Sequence, residues 1–217
     1  GAGLLGEVRE VKVWTNRPIW PQGFQEPPPG EPTPPGLAWE QFLGRAPSRP
    51  FSSKIHPFNW RGFQDYGCGA LGDMACHLMD AAFWGLELGA PTSVELKQID
   101  SPSKVAFPKS AIVEYQFPAR GNMPPVKLTW YEGGLRPEKP PQMEESRQLA
   151  HGGQLLIGSK ATVYDGTDYC LSPRFVPETL HRELGESGKM PPKTLPRPDP
   201  IGNPQKEWTR AIRANDP

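Results

Sequence analysis

The chain has 217 residues, and its 24 lysines and arginines balance 24 aspartates and glutamates, so the formal net charge is zero. That balance argues against nucleic acid or an anionic membrane surface as a partner, because both call for a basic face. Apolar residues make up 36% of the chain, and charges interrupt every hydrophobic run before it could span a bilayer.

The length suits one domain with a substantial core. Cysteines at Cys68, Cys76 and Cys170 are an odd, scattered set, which predicts free buried thiols rather than a disulfide scaffold. The 29 prolines are well over twice the usual share of about 5%, which predicts long extended loops. No secretory leader is visible, and cytoplasmic and periplasmic locations both stay open.

The opening residues, GAGLLG, fit G-x-G-x-x-G. A dinucleotide fingerprint needs a strand before it and a helix after it, so that the helix N-terminus meets the pyrophosphate. Here a strand follows instead, and the motif reads as the turn into that strand. Glu7–Thr15 alternates β-branched or aromatic residues with charged ones, and the slip at Glu10 and Val11 predicts a bulge. At the strand end, Asn16 and Arg17 suit hydrogen bonds to sugar hydroxyls, although a turn with a solvated arginine explains them equally well. Pro27–Gly36 is an extended, polyproline-like surface excursion or oligomer arm, less readily an SH3-type ligand. Trp39, Phe42 and Leu43 anchor a short helix over 37–43. The loop from Ser52 to Asp65 carries His56, Asn59, Trp60 and Arg61, a mixture of stacking surface and hydrogen-bond groups suited to a sugar. Such aromatics also commonly just pin a loop to the core.

Gly67–Leu88 is the stretch around which the rest is organised. Leu71, Met74, Ala75, Leu78, Ala82 and Leu86 recur at the spacing of a core-facing helix stripe. At about 100° per residue, Asp73, His77, Asp80 and Trp84 fall on the opposite stripe. Asp73 and His77 are four residues apart and hence neighbours. A carboxylate beside an imidazole suits proton transfer near neutral pH. Asp80 reads as structural.

Strands are predicted at Thr92–Ile99, Ser110–Phe117, Val126–Tyr131 and Gln154–Ile157. Ala161–Asp165 pairs with the last through a Gly158-Ser159-Lys160 hairpin turn. Short links favour antiparallel neighbours. Trp130 or Tyr131 is a candidate substrate contact, with packing on the sheet as the equal alternative. Residues 135–152 and 166–200 read as polar, proline-broken loops, and Lys206–Ala214 as a closing helix.

GALGDMACHLMD, in the central stretch, resembles the D-x-x-x-H helix of the Gfo/Idh/MocA oxidoreductases, the relatives of glucose–fructose oxidoreductase and inositol dehydrogenase. VREVKVWTNRPIWPQG at Val8–Gly23, HPFNWRGFQDYGCGALGDMACHLMD at His56–Asp80 and FPARGNMPPVKLTWYEGG at Phe117–Gly134 extend the resemblance over most of the chain. It implies the family's C-terminal α/β domain, which shapes a sugar site and assembles oligomers. NAD(P) is then bound by an N-terminal Rossmann domain that this chain lacks, and by nothing in the chain itself. The family's catalytic lysine lies in that Rossmann half. The chain is therefore expected to continue at both ends, and to be inactive alone. By the same resemblance His77 and that lysine handle the hydroxyl proton, while Asp73 holds His77.

The expected fold is α+β: an open, twisted, largely antiparallel sheet with helices on one face and the other apolar enough to pair with a second subunit. Cys68, Cys76 and His77 lack zinc spacing, so no metal site is expected. No G-x-S-x-G nucleophile elbow occurs. Two other functions stay open: a free-standing carbohydrate-binding or assembly module without catalysis, and part of an NAD-dependent glycoside-cleaving enzyme of the same family.

Overall fold

The structure, a computed structural model, describes residues 3–192 and 203–215. Gly1 and Ala2 of the glycine motif, and residues 193–200 of the predicted loop, lie outside these. The structure has seven strands: β1 (Val8–Trp14), β2 (Ser93–Asp100), β3 (Ser110–Phe117), β4 (Val126–Glu132), β5 (Gly153–Gly158), β6 (Thr162–Asp165) and β7 (Arg174–Val176), the first six from the period-two runs. They form one sheet in the order β2-β3-β4-β1-β5-β6-β7. Every neighbouring pair is antiparallel except β1 with β4. That parallel pair arises because the chain leaves β1 through its helices and re-enters at the far edge, in β2. The fold is α+β, with an open and largely antiparallel sheet. The bulge expected at Glu10 and Val11 falls one step earlier, between Val8 and Glu10, where the β1–β5 register shifts.

Helix α1 (Trp39–Leu43) precedes a single 3-10 turn at Asn59–Gly62. The central stretch forms α2 (Gly69–Leu78) and α3 (Asp80–Gly85), which abut at Met79. Met74, Leu78, Ala82 and Leu86 are buried, with Leu71 and Ala75 partly so. They pack on Val11, Val13, Val126, Leu128 and Trp130, so the apolar stripe lies on the sheet. Strand alternation sends Trp14 and Tyr131 to the opposite face, where Met143, Leu149, Leu155 and Tyr164 cover them. A third cluster joins Trp39, Phe51, Ile55, Phe63 and Ala106 beneath the long loops. The proline-rich excursion is fastened there: the Glu31 carboxylate accepts from the Ser53 N–H at 3.1 Å and the Ser53 hydroxyl at 2.9 Å.

Three expectations change. The helix-free face is not broadly apolar: Lys12, Lys127 and Thr129 share it with Glu10, whose carboxylate lies 3.7 Å from Lys12 and 3.5 Å from Lys127. Exposed apolar side chains gather instead on the edge strand β2, at Val94, Leu96 and Ile99. Cys68 and Cys76 are free but exposed, because they lie off the stripe that meets the sheet. And the segment read as a loop after residue 166 contains β7 and α4 (Glu178–Glu186). A strand of three residues is too short to show alternation. A bidentate pair from Arg174 to Glu178 ties it to the start of α4 and holds the Glu178 carboxyl down at about 2.

The chain divides into two compact units, one ending at Arg182 and the other running from Glu183. The second contains α5 (Pro204–Ala214). Asn203 caps it by accepting from the Lys206 N–H at 3.0 Å, Pro204 opens it, and Asn215 closes it in the left-handed region. Among the described residues no helix is long and apolar enough to cross a membrane.

Candidate functional site

With one stripe of α2 on the sheet, the opposite stripe is left open: His77 is exposed and Asp73 half-buried. The approach to α2 is tight. A Cβ at Gly67 would collide with the backbone of Arg61, and Gly69, at φ +65°, lies where a Cβ would meet Phe107 at 2.6 Å. This close pass brings Arg61 to the helix, and its Nε lies 3.5 Å from the Asp73 carboxylate. The same guanidinium lies 4.6 Å from the ring centres of both Trp60 and Phe58 and 5.9 Å from that of Trp20. It also donates to the Phe58 carbonyl at 3.1 Å. Arg61 is thus a cation set among three aromatic rings and joined to a carboxylate.

His77 has a different neighbour. Its imidazole meets the Tyr169 ring edge to face, with centres 5.1 Å apart. Asp168, beside Tyr169, pairs with Arg17 at 3.3 Å, and Arg17 also donates to the Asn16 side chain. Asn16 and Arg17 are thereby linked to the His77 environment, and Trp60 and Arg61 to that of Asp73, whereas Asn59 opens the 3-10 turn before Arg61 without a side-chain hydrogen bond to either among the described residues. No hydrogen bond joins Asp73 to His77 among the described residues: adjacent on one helix face, each is engaged by another partner.

Two candidates lie elsewhere. His56 packs against Phe42 at 4.9 Å and Phe51 at 6.1 Å, in the cluster beside α1, so it pins the loop. Trp130, a candidate substrate contact, is instead wholly buried in the core between α2 and the sheet, where strand parity puts it. Tyr131 points the other way, toward the Trp14 cluster. Sequence reasoning missed Trp20, Asp168 and Tyr169. Trp20 had a signal, an aromatic just after a candidate strand end. Asp168 and Tyr169 reach the site only through tertiary folding and had none.

It also missed Glu132, which is only 4% exposed. The Trp130 Nε1–H donates to its carboxylate at 3.0 Å, and the Leu71 N–H in the first turn of α2 donates to it as well. Glu132 thus caps from the sheet a helix whose own N-cap, Cys68, makes no side-chain bond. Burial pushes the Glu132 carboxyl above its ordinary 4.5, against the pull of those two bonds. The folded state then holds a proton that the unfolded state gives up sooner. This contribution to stability is complete below about pH 4.5 and is lost as pH rises through the raised folded value. Glutamine keeps an acceptor for both donors and does not ionise. Glu132→Gln is therefore expected to gain stability relative to the parent as pH rises above about 4.5 in urea melts. A stability difference that stays flat over that rise would rule out ionisation of Glu132 as a cost.

Among the described residues, no three or more His, Cys, Asp or Glu side chains are grouped to hold a metal ion. The described part of the glycine motif is a turn, with the Gly6 N–H donating to the Gly3 carbonyl at 3.2 Å. It is tied to the β5–β6 hairpin by the Lys160 N–H on the Leu5 carbonyl at 3.0 Å. That arrangement does not fit a dinucleotide pyrophosphate, which needs the open N-terminus of a helix.

Residues 10–116 match the model of the oxidoreductase family, C-terminal alpha/beta domain, of Gfo/Idh/MocA type. No curated protein matches the sequence. Among solved structures, the chain is similar to the WlbA dehydrogenase from Bordetella pertussis, determined in complex with NADH and UDP-GlcNAcA. The identity is 14% and the TM-score 0.45, with 99% of this chain and 47% of that one covered. The chain thus spans about half the length of that dehydrogenase.

Proposed function

This chain belongs, through residues 10–116, to the Gfo/Idh/MocA oxidoreductase family, and from that premise we propose that it is the substrate-binding and oligomerisation domain of an NAD(P)-dependent oxidoreductase acting on a sugar or sugar derivative. The observation that carries the reading is the open stripe of α2. His77 and Asp73 stand there free of the sheet, flanked by Arg61 with its aromatic rings on one side and by the Arg17–Asp168 pair on the other. Guanidinium–carboxylate pairs beside aromatic surface supply the donors, acceptors and apolar wall that a polyhydroxylated ring requires.

The division of labour follows. NAD(P), held by a separate Rossmann domain, supplies the hydride chemistry when bound. This chain's residues bind the sugar, orient it and move a proton. His77, exposed and unblocked, is the group placed to take the proton from the reacting hydroxyl. Asp73, fixed by Arg61, lies one helical turn away on the same face, where its carboxylate can accept from a hydroxyl of the sugar. Arg17 and Asn16 hold further hydroxyls from the end of β1.

Assembly is the second part of the proposal. The edge strand β2 is exposed along its whole length and presents Val94, Leu96 and Ile99 to water, an apolar edge that pairing with a second copy of the sheet would cover. One preparation of the chain tests both parts. Light scattering at tens of micromolar is expected to show a dimer or larger species, and a purely 24.0 kDa particle would count against assembly. Calorimetric titration with NAD and NADP is expected to show no tight binding until a dinucleotide-binding domain is supplied. Sub-micromolar binding to the chain alone would overturn the division of labour.

A further inference from the structure

The connection from Asp165 to Ser172, which leads out of β6, is more heavily fastened than a surface loop requires. Asp165 is fully buried, and its carboxylate accepts from the Thr167 N–H at 2.8 Å, the Thr167 hydroxyl at 2.6 Å and the Ser172 N–H at 2.7 Å. The Thr167 hydroxyl in turn accepts from the Leu171 N–H at 2.9 Å. Cys170 sits in the left-handed region at φ 53°. Its sulfur accepts from the buried Gln154 amide at 2.7 Å and lies 3.4 Å from the His77 carbonyl and 3.8 Å from that of Leu78. Asp168 is tied to Arg17. The loop is therefore locked internally, to the C-terminal turn of α2 and to the end of β1.

Between the two anchored residues Asp168 and Cys170 stands Tyr169, which is 56% exposed. Its only ring contact among the described residues is with His77, at 5.1 Å and an interplanar angle of 74°. A backbone fixed on both sides of a large open ring costs little further entropy when that ring is used in binding. The ring is aimed at the one imidazole of the site.

We propose that Tyr169 is a substrate-contacting residue, its open ring forming the wall against which the sugar ring stacks beside His77. This rests on reading the site as a carbohydrate site. Arg61, Trp60 and Phe58 approach the same helix face one turn earlier, at Asp73, so the sugar lies along the stripe from Asp73 to His77 with Tyr169 at its far end. The C–H face of a pyranose or cyclitol is apolar and meets an aromatic ring well, and the neighbouring Arg17–Asp168 pair engages hydroxyls at the ring's rim. A second effect follows from the edge-to-face contact: Tyr169 limits the rotation of the His77 imidazole and so sets the direction from which it meets a hydroxyl.

The test uses the chain with Tyr169→Phe and Tyr169→Leu, observing the His77 ring protons by NMR, assigned with His77→Asn. D-glucose, D-glucuronate and myo-inositol serve as probes. Tyr169 is exposed, so both variants are expected to fold. Without sugar, leucine is expected to shift the His77 ring signals and phenylalanine to restore them. With sugar, at least one probe is expected to move those signals. Tyr169→Phe is expected to keep the dissociation constant within about twofold, and Tyr169→Leu to weaken it by roughly tenfold. A probe that moves the His77 signals with the same constant in Tyr169→Leu overturns the role of Tyr169 and leaves the carbohydrate site standing. No movement with any probe overturns the carbohydrate reading, and the role of Tyr169 with it.

Discussion

On the proposed division of labour, replacing His77 by alanine in an enzyme that joins this chain to a dinucleotide-binding domain is expected to lower kcat by roughly 10²–10⁴-fold, the range of a general acid or base. The imidazole is the one titratable ring on the open stripe of α2, and it lies off the side chains that meet the sheet. Folding should therefore change little, and so should affinity for NAD(P), which belongs, on the proposed reading, to a separate domain. KM should move less than kcat, because the lost interaction belongs to the proton in flight more than to the resting sugar. A His77→Ala enzyme with full turnover would remove His77 from the chemistry. Equal losses in kcat and in thermal stability would show instead that the ring supports the fold.

Trp130→Ala is expected to have the opposite profile. The indole is fully buried between α2 and the sheet and donates to Glu132, the buried cap of the same helix. Its removal leaves a large cavity and a carboxylate short of one donor, at a cost of about 3–5 kcal/mol for the truncation alone. For a domain of this size that is a large share of total stability. Urea denaturation should show the midpoint falling at an unchanged slope. A stable Trp130→Ala protein with weakened sugar binding would return Trp130 to the substrate side.

These two residues show what a sequence reveals here. The orientation of α2 was legible because a helix of ten residues displays its period: Met74 and Leu78 mark the buried face and leave Asp73 and His77 opposite. The first six strands were legible by alternation, and the bulge in β1 was legible to within a residue or two. Which face of β4 meets α2 was not legible. Parity places Trp130 and Tyr131 on opposite sides, but only the packing of α2 says which side is core. The partners of Asp73 and His77 were hidden for a similar reason. Helical spacing makes the two neighbours, yet Arg61 and Tyr169 arrive from a loop and from a distant connection. β7 escaped because three residues carry no period, and its stabilisation lies in the Arg174–Glu178 pair and the burial of Phe175 and Val176.

A crystal structure of the complete enzyme with bound sugar tests the central claim most directly. The expected result is a sugar ring lying along α2 between Arg61 and Tyr169, with its reacting hydroxyl within about 2.6–3.2 Å of the His77 imidazole and that carbon facing the dinucleotide-binding domain. A sugar bound away from the Asp73–His77 stripe, or a His77 ring turned from it while the cofactor is in place, would contradict the assignment of this face as the site of reaction.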